Sequence, residues 1–325
     1  MKTKTAAFLA ALLTVSFLSV SFVPKVTPQT STNISVHFID VGQGDSIFID
    51  TQNVDVLIDG GSASASQTVL DYLDSLNVTL IHLVIATHAH EDHIGGLVDI
   101  LDSSLTINEV LVNNQTHTSA TYTNFITLAE SHNLTVAQRG QTFNLTETAN
   151  LTVYNPVQPL EFSDLNDNSI VTKLQAGNTR FLFTGDAETP AEQSIIDADL
   201  NLQSDVLKVG HHGSNTATSQ AFLDLVDPSY AIICAGVDNS YGHPHNETIQ
   251  KLLTKGVTIY GTHVSGTIVA STDGTTITFQ DSPQPIIPEF PSALTTLTIL
   301  VTATLMAAIA YQKKLLRKPR NLSGS

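Results

Sequence analysis

Three histidines and two carboxylates fill the six positions His88-Ala89-His90-Glu91-Asp92-His93. Neutral imidazole is the commonest protein ligand for zinc, and carboxylates bind divalent ions generally. On an extended turn, residues two apart point the same way, so His88 and His90 can share one ion. Asp92 and His93 then turn towards a second ion nearby. The plain alternative is a solvated polar loop with incidental histidines. Two further stretches end an apolar run on groups of the same chemistry. Phe181-Leu-Phe-Thr-Gly-Asp186 closes on an aspartate, a group that is costly to bury unless it is paired or ligated. Its alternative is a helix N-cap before Ala187-Glu188. Val206-Leu-Lys-Val-Gly-His211-His212-Gly-Ser214 closes on adjacent histidines.

Such side chains need rigid supports, and the flanking sequence supplies them. Leu80 to Ile85 is apolar enough for a buried strand. Ile94 to Leu101 has the spacing of a short amphipathic helix. The first cluster is therefore expected on a loop between a strand end and a helix start. Upstream, Ile34 to Asp40 alternates like an edge strand, Val41-Gly-Gln-Gly44 is a turn, and 45–50 and 54–59 read as two more strands. Beyond residue 80, strand-like runs alternate with helix-like ones, and strands at 266–271 and 275–280 close the domain. A strand meander followed by βα units predicts an α/β fold of two packed sheets with helices outside.

Apolar residues make up 42% of the 325, enough for a sizeable core, and charged residues only 14%. Between Asn33 and Ser282 there are six Lys and Arg against 29 Asp and Glu, a net of −23. Such a surface repels polyanions and argues against strong nonspecific nucleic-acid binding. Cys234 is the single cysteine, so no intrachain disulfide or thiolate zinc cluster can form. Its apolar run, Tyr230 to Ala235, makes it a buried structural thiol.

Both ends are hydrophobic. Lys2 and Lys4 precede an apolar run from Ala6 to Val23, so 1–26 reads as a signal peptide or N-terminal anchor. Residues 283–292 are a Pro-rich linker, 293–311 a candidate transmembrane helix and 312–325 a basic tail. The positive-inside bias places both ends in the cytoplasm and the body, 33–282, outside the cell. Asn-x-Ser/Thr occurs at Asn33, Asn77, Asn114, Asn133, Asn144, Asn150 and Asn246 in that body, as expected of a surface glycoprotein. Pro288-Glu-Phe-Pro291 resembles the PEF-type sorting tail of archaeal surface proteins, which implies removal of the helix and attachment by a sortase-like enzyme.

The His-x-His-x-Asp-His run at 88–93 resembles the signature of metallo-β-lactamase fold hydrolases. Asp40-Val-Gly-Gln-Gly-Asp-Ser46 and Tyr241-Gly-His-Pro-His245 are similar to motifs of the hydrolase domain of the DNA-uptake channel protein and its stand-alone relatives. The resemblance covers about residues 34–280 and implies a four-layer αββα sandwich. It implies two divalent metal ions, Zn²⁺ first and Mn²⁺ second, held by His88, His90, Asp92, His93, Asp186 as the bridging ligand, and His211. Residue type leaves the order of His211 and His212 open, and His211 is preferred as ligand. Asn166-Asp-Asn-Ser169 stands where many relatives place a histidine for the first ion, so the third protein ligand there is open between Asp167, Asn168, water and a remote histidine. His263 is a further candidate without an assigned place.

The implied chemistry is hydrolysis, with two ions lowering the pKa of a shared water and Asp92 and Asp186 orienting it. His212 or His243 stabilises developing charge on oxygen. Asp45, Asn168, Ser169, Ser214, Tyr241 and His245 are placed around the substrate. A phosphodiester substrate is expected first. A thioesterase of the glyoxalase type and a non-catalytic, metal-braced surface module are the alternatives.

Overall fold

The computed structural model describes residues 33–51, 53–286 and positions 301–302, 304–306 and 308–309, the last group helical. The first half runs β1 (Ile34–Phe38), β2 (Ile47–Asp50), β3 (Val56–Ile58), α1 (Ser66–Ser75), β4 (Leu80–Ile81), β5 (Leu83–Ala86), α2 (Glu91–Leu101), β6 (Thr106–Ile107), β7 (Glu109–Val112), α3 (Ala120–Ala129) and β8 (Asn133–Val136). The second half runs β9 (Thr142–Asn144), β10 (Ala149–Asn155), β11 (Val171–Ala176), β12 (Thr179–Phe183), α4 (Thr189–Asp197), β13 (Val206–Lys208), α5 (Gln220–Val226), β14 (Tyr230–Ile233), α6 (Asn246–Thr254), β15 (Thr258–Gly261), α7 (Thr262–Ser265), β16 (Ile268–Thr272) and β17 (Ile277–Phe279).

Two large mixed sheets result, with β4 and β6 forming a separate parallel pair. One has the order β17-β16-β1-β2-β3-β5-β7-β8, the other β15-β14-β13-β12-β11-β10-β9. Strand periodicity explains how they stack. Along β12, Phe181 and Phe183 face the core between the sheets, and Leu182 faces the helices. Ile85 and Leu111 likewise point inward and Val84 and Val110 outward. Strands buried on both faces read as continuous apolar runs, which is why they stand out in the sequence. Outside the first sheet, Val69, Leu73, Leu97 and Phe125 bring α1, α2 and α3 against Leu57 and Val84. Outside the second, Ile195, Phe222 and Leu252 bring α4, α5 and α6 against Leu182 and Leu207. Four layers follow, αββα, and each fully buried aromatic such as Phe183 contributes roughly 1.5–3 kcal/mol.

The expected edge strand at 34–40 is instead internal. β1 pairs with β16 on one side and β2 on the other. Its polar position His37 faces α1 rather than water, with Nδ1 2.8 Å from the Tyr72 hydroxyl. Helix α2 starts at Glu91, not Ile94, so Asp92 and His93 sit in its first turn. Strands β8 and β9 are absent from the sequence reading because their side chains are mostly half-exposed and polar. Among the described residues no helix is long and apolar enough to cross a membrane. The segments expected as signal or anchor, membrane helix and basic tail lie outside the described residues, apart from the positions at 301–309. Of the linker only 283–286 is described, and there the Ile286 N–H donates to the Ile259 carbonyl at 2.8 Å.

Candidate metal centre

The cluster forms where strand ends from both sheets meet. β5 ends at Ala86 and delivers Thr87, His88 and His90 ahead of α2. β12 ends at Phe183 and delivers Asp186. β13 ends at Lys208 and delivers His211 and His212 through a tight turn, with φ of +47° and +53° at the two histidines. Two successive side-chain-bearing residues in left-handed conformation are costly and persist only where packing over-determines them. That turn decides which histidine points inward.

Donor atoms of Asp45, His93, Asp186 and His212 lie within 4.8 Å of one another, as do those of His88, His90 and Asp186. Asp186 belongs to both groups. Its Oδ2 lies 3.2 Å from His93 Nε2, 3.4 Å from His212 Nε2 and 3.7 Å from His88 Nε2. Asp92 Oδ2 lies 3.3 Å from His212 Nε2. The sequence reading prefers His211, but the structure brings His212 into the cluster. His211 keeps 22% of its side chain exposed and its Nε2 stands 3.7 Å from Asp186.

The outer faces of these rings are tied down. Asp59 Oδ2 sits 2.8 Å from His93 Nδ1 and also accepts from the Thr87 hydroxyl at 2.7 Å. His212 Nδ1 is 2.9 Å from the Cys234 carbonyl and 3.3 Å from Asp45 Oδ1. His211 Nδ1 is 2.8 Å from Glu188. Such partners fix ring orientation and turn the free nitrogen towards an ion. Beneath them Lys208, fully buried, reaches Asp45 Oδ2 at 2.6 Å. Burial alone would depress its amine, and Asp45, Cys234 and Asp186 together raise it above its ordinary value. Asp59, Glu188 and Lys208 are site residues that the sequence reading misses. A lysine inside the apolar run Val206-Leu-Lys-Val is the one signal that pointed to a buried partner.

Three observations fit a bound cation. His93 Nε2, His212 Nε2 and Asp186 Oδ1 are buried without a hydrogen-bond partner, and the two nitrogens converge on the Asp186 carboxylate. The donors are imidazole and carboxylate, the set that zinc and similar ions take. The charge balance also asks for one. Burial would lift the Asp186 carboxyl, but the imidazoles of His212 and His93 hold it well below the usual carboxylate range. Conversely, burial works against charge on His93 and His212, yet the carboxylates around them, Asp186 first, carry both well above the usual imidazole range. A divalent ion bound here would take the place of the protons that these carboxylates draw onto the two imidazoles.

The centre opens into a cleft of about 910 Å³ lined by His90, Asp92, Asp186, His211, Tyr241 and His243 among others. Burial and the neighbouring His211 and His212 push His243 down to about 4, so it is neutral near pH 7. Tyr241 is 64% exposed at the rim, its ring stacked on His243 with centroids 5.7 Å apart. The other residues placed around a substrate turn out to build the loops. Asn168 donates to the Phe162 and Asp164 carbonyls at 2.7 and 3.1 Å. Asp167 Oδ1 accepts from the Ala191 N–H at 3.3 Å. Ser169 Oγ accepts from the Asp186 N–H at 3.2 Å, and Ser214 Oγ meets Thr216 Oγ1 at 2.8 Å. His245 caps α6 and its Nδ1 accepts from the Asn215 N–H at 3.0 Å. Asp45 lies beneath His212, buried. His263, in α7, joins neither donor group. The Asp40-to-Ser46 turn runs against the first turn of α2, the Asp45 N–H donating to the Asp92 carbonyl at 3.2 Å. At Gly44 (φ +130°) a Cβ would lie 2.2 Å from the Asp92 carbonyl oxygen.

Comparison with known proteins agrees with this geometry. Residues 39–106 and 165–237 match the family model described as the metallo-beta-lactamase superfamily. ComE operon protein 3 of Bacillus subtilis is 29% identical over 270 residues, covering 77% of this chain and 34% of that protein. Competence protein ComA of Neisseria gonorrhoeae is 29% identical over 263 residues, covering 80% and 35%. Recombination protein 2 of Haemophilus influenzae is 31% identical over 238 residues, covering 72% and 28%. The chain thus spans about a third of the length of these relatives. Among solved structures, the metallo-beta-lactamase fold protein YhfI of Bacillus subtilis superposes with a TM-score of 0.50 at 12% identity, covering 74% of this chain and 99% of that one, which shows the fold. A two-sheet sandwich with a histidine–aspartate cluster at its strand ends, and these relatives, make this chain a metallo-β-lactamase-fold hydrolase related to competence proteins.

Proposed function

We propose that the chain is an exported, surface-tethered hydrolase that uses two divalent ions, Zn²⁺ or Mn²⁺, to cleave phosphodiesters. The observation that carries this is the pair of donor groups sharing Asp186 at the floor of an open cleft. When bound, such ions provide Lewis acidity and bring the pKa of water to about 7. The chain's own residues then orient the reactants. Asp186 and Asp92 would present carboxylate oxygens that orient the water. His211, its Nδ1–H accepted by Glu188, lines the cleft and would present Nε2 as a hydrogen-bond acceptor to the water. His243, neutral and at the cleft, would donate to a substrate oxygen. Tyr241 lines the cleft at its rim.

The names of the relatives, competence and recombination proteins, favour a nucleic-acid-type phosphodiester. Charge sets the scale of that substrate. No Lys or Arg lines the cleft among the described residues, where Glu91, Asp92 and Asp186 do. With a body near −23, a short or small phosphodiester suits the site better than a long polyanion. Export rests on the terminal sequence: Lys2 and Lys4 before an apolar run, the Asn-x-Ser/Thr sites, and an apolar segment followed by basic residues. The same metal set serves a thioesterase, so the test is comparative. The purified chain loaded with Mn²⁺ is offered bis-p-nitrophenyl phosphate, a short single-stranded oligonucleotide and S-lactoylglutathione. Preference for the two phosphodiesters supports the proposal. Turnover of the thioester alone transfers it to the glyoxalase class. Binding of ions with no turnover of any of the three points to a structural module.

A further inference from the structure

We infer that the two donor groups are unequal: a divalent cation enters the group formed by His93, His212, Asp186 and Asp92 first, and the His88/His90/Asp186 group takes its cation second and more weakly. The inference rests on reading this cluster as a metal centre and concerns the order of loading. Asp45 belongs to the buried group by distance, but it faces the Nδ1 side of His212 and is occupied by Lys208, so it acts as an anchor of the ring.

Four differences separate the groups. The first is readiness. His93 Nε2, His212 Nε2 and Asp186 Oδ1 are buried without hydrogen bonds, whereas His88 Nε2 and His90 Nδ1 are 2.9 Å apart and satisfy each other. An ion at the second group must first break that pair. The next is anchoring. His93 is held by the Asp59 carboxylate and His212 by the Cys234 carbonyl and Asp45. His88 Nδ1 has only hydroxyls, Thr87 at 3.1 Å and Ser169 at 3.4 Å. Loss of such an anchor typically costs 10–100-fold in metal affinity. Charge differs as well, since Asp92 joins Asp186 at the first group, while Asp186 is the sole carboxylate of the other. The last difference is completeness. The loop opposite His88 adds only neutral amide oxygens, weaker ligands than imidazole or carboxylate: Asn166 Oδ1, at the cleft, and Asn168 Oδ1 are buried without a partner, while Asp167 and Ser169 accept from the Ala191 and Asp186 N–H groups. The weaker position therefore keeps more places open to water and substrate, at the mouth of the cleft where His90 is half-exposed.

The test is calorimetric titration of the metal-free full chain with Mn²⁺, with free Mn²⁺ followed in parallel by its electron paramagnetic resonance signal. Wild type, His90→Ala, His212→Ala and Asp59→Asn are compared, their folding checked by circular dichroism. The expected result is a tight event at least about tenfold stronger than a weak one. His90→Ala keeps the tight event and loses the weak one. Asp59→Asn, which touches no ion, weakens the tight event about 10–100-fold and leaves the weak one. A tight event lost in His90→Ala but kept in His212→Ala overturns the order, as do two events of equal strength in wild type. Absence of any Mn²⁺ or Zn²⁺ binding by folded wild type removes the metal centre itself, a distinct failure.

Discussion

Lys208→Met should be among the most damaging single changes to stability in the domain, although Lys208 is neither a ligand nor near the cleft surface. Its amine lies 2.6 Å from Asp45 Oδ2, with both groups buried, and also donates to the Gly185 carbonyl at 3.4 Å. At that 2.6 Å separation, an effective dielectric of about 20 gives roughly 6 kcal/mol of attraction. The dehydration of both ions opposes much of this in the intact pair. Removing one partner keeps the penalty and loses the attraction, so breaking a buried pair costs about 3–5 kcal/mol. For a chain of this size each kcal/mol moves Tm by about 2–4 °C, a drop of roughly 6–20 °C. Thermal melts followed at 222 nm in excess EDTA isolate this effect from metal binding. The double variant Lys208→Met/Asp45→Asn removes both charges and should recover most of the loss, to within about 1–2 kcal/mol of wild type. A loss under about 1 kcal/mol in the single variant, or a double variant no more stable than the single, would refute the assignment of Lys208 as the counter-charge of Asp45.

Three other expectations are independent of that pair. Burial holds the His37 imidazole below its usual range, so the folded state resists its protonation; its contribution is present above about pH 6.5 and is lost as pH falls. The slope of Tm between pH 7.5 and 5.5 should therefore be shallower in His37→Gln than in wild type, and an identical slope would exclude His37 as the source. Glu192 is buried and accepts from the Thr218 and Ser219 N–H groups at 2.5 and 2.8 Å, pinning the segment after the histidine turn. Glu192→Ala should cost about 1–3 kcal/mol in urea unfolding by leaving those donors unsatisfied. Gly44→Ala should cost about 1–3 kcal/mol, because its Cβ would meet the Asp92 carbonyl oxygen, and it should weaken Mn²⁺ binding by displacing Asp92.

The sandwich was legible because its central strands are buried on both faces and carry unbroken apolar runs, as at Leu83–Ala86 and, within β12, residues 181–183. The ligand stretches were legible because each follows directly on such a run. What was not legible depends on partners far away in sequence. Ser35 and His37 alternate with Ile34, Val36 and Phe38 as in a solvent-facing edge, but β16, 234 positions later, covers one side of β1 and Tyr72 satisfies His37. The choice between His211 and His212 rests on left-handed backbone at both positions, which residue type does not announce. Asp45 reads as a substrate contact until the buried Lys208 beneath it is seen. Asn168 and Ser169 fall at the expected place, and only the hydrogen bonds show them building the loop instead of facing the cleft.

The most direct test joins metal and chemistry in one preparation. The purified chain is stripped with EDTA, then recharged with Mn²⁺ or Zn²⁺, and nitrophenol release from bis-p-nitrophenyl phosphate is followed for wild type and Asp186→Ala. Turnover that vanishes on stripping, returns on recharging and is absent in Asp186→Ala is the expected result, since Asp186 alone serves both donor groups. Turnover that survives stripping, or that persists in Asp186→Ala with metal supplied, would contradict hydrolysis at this cluster.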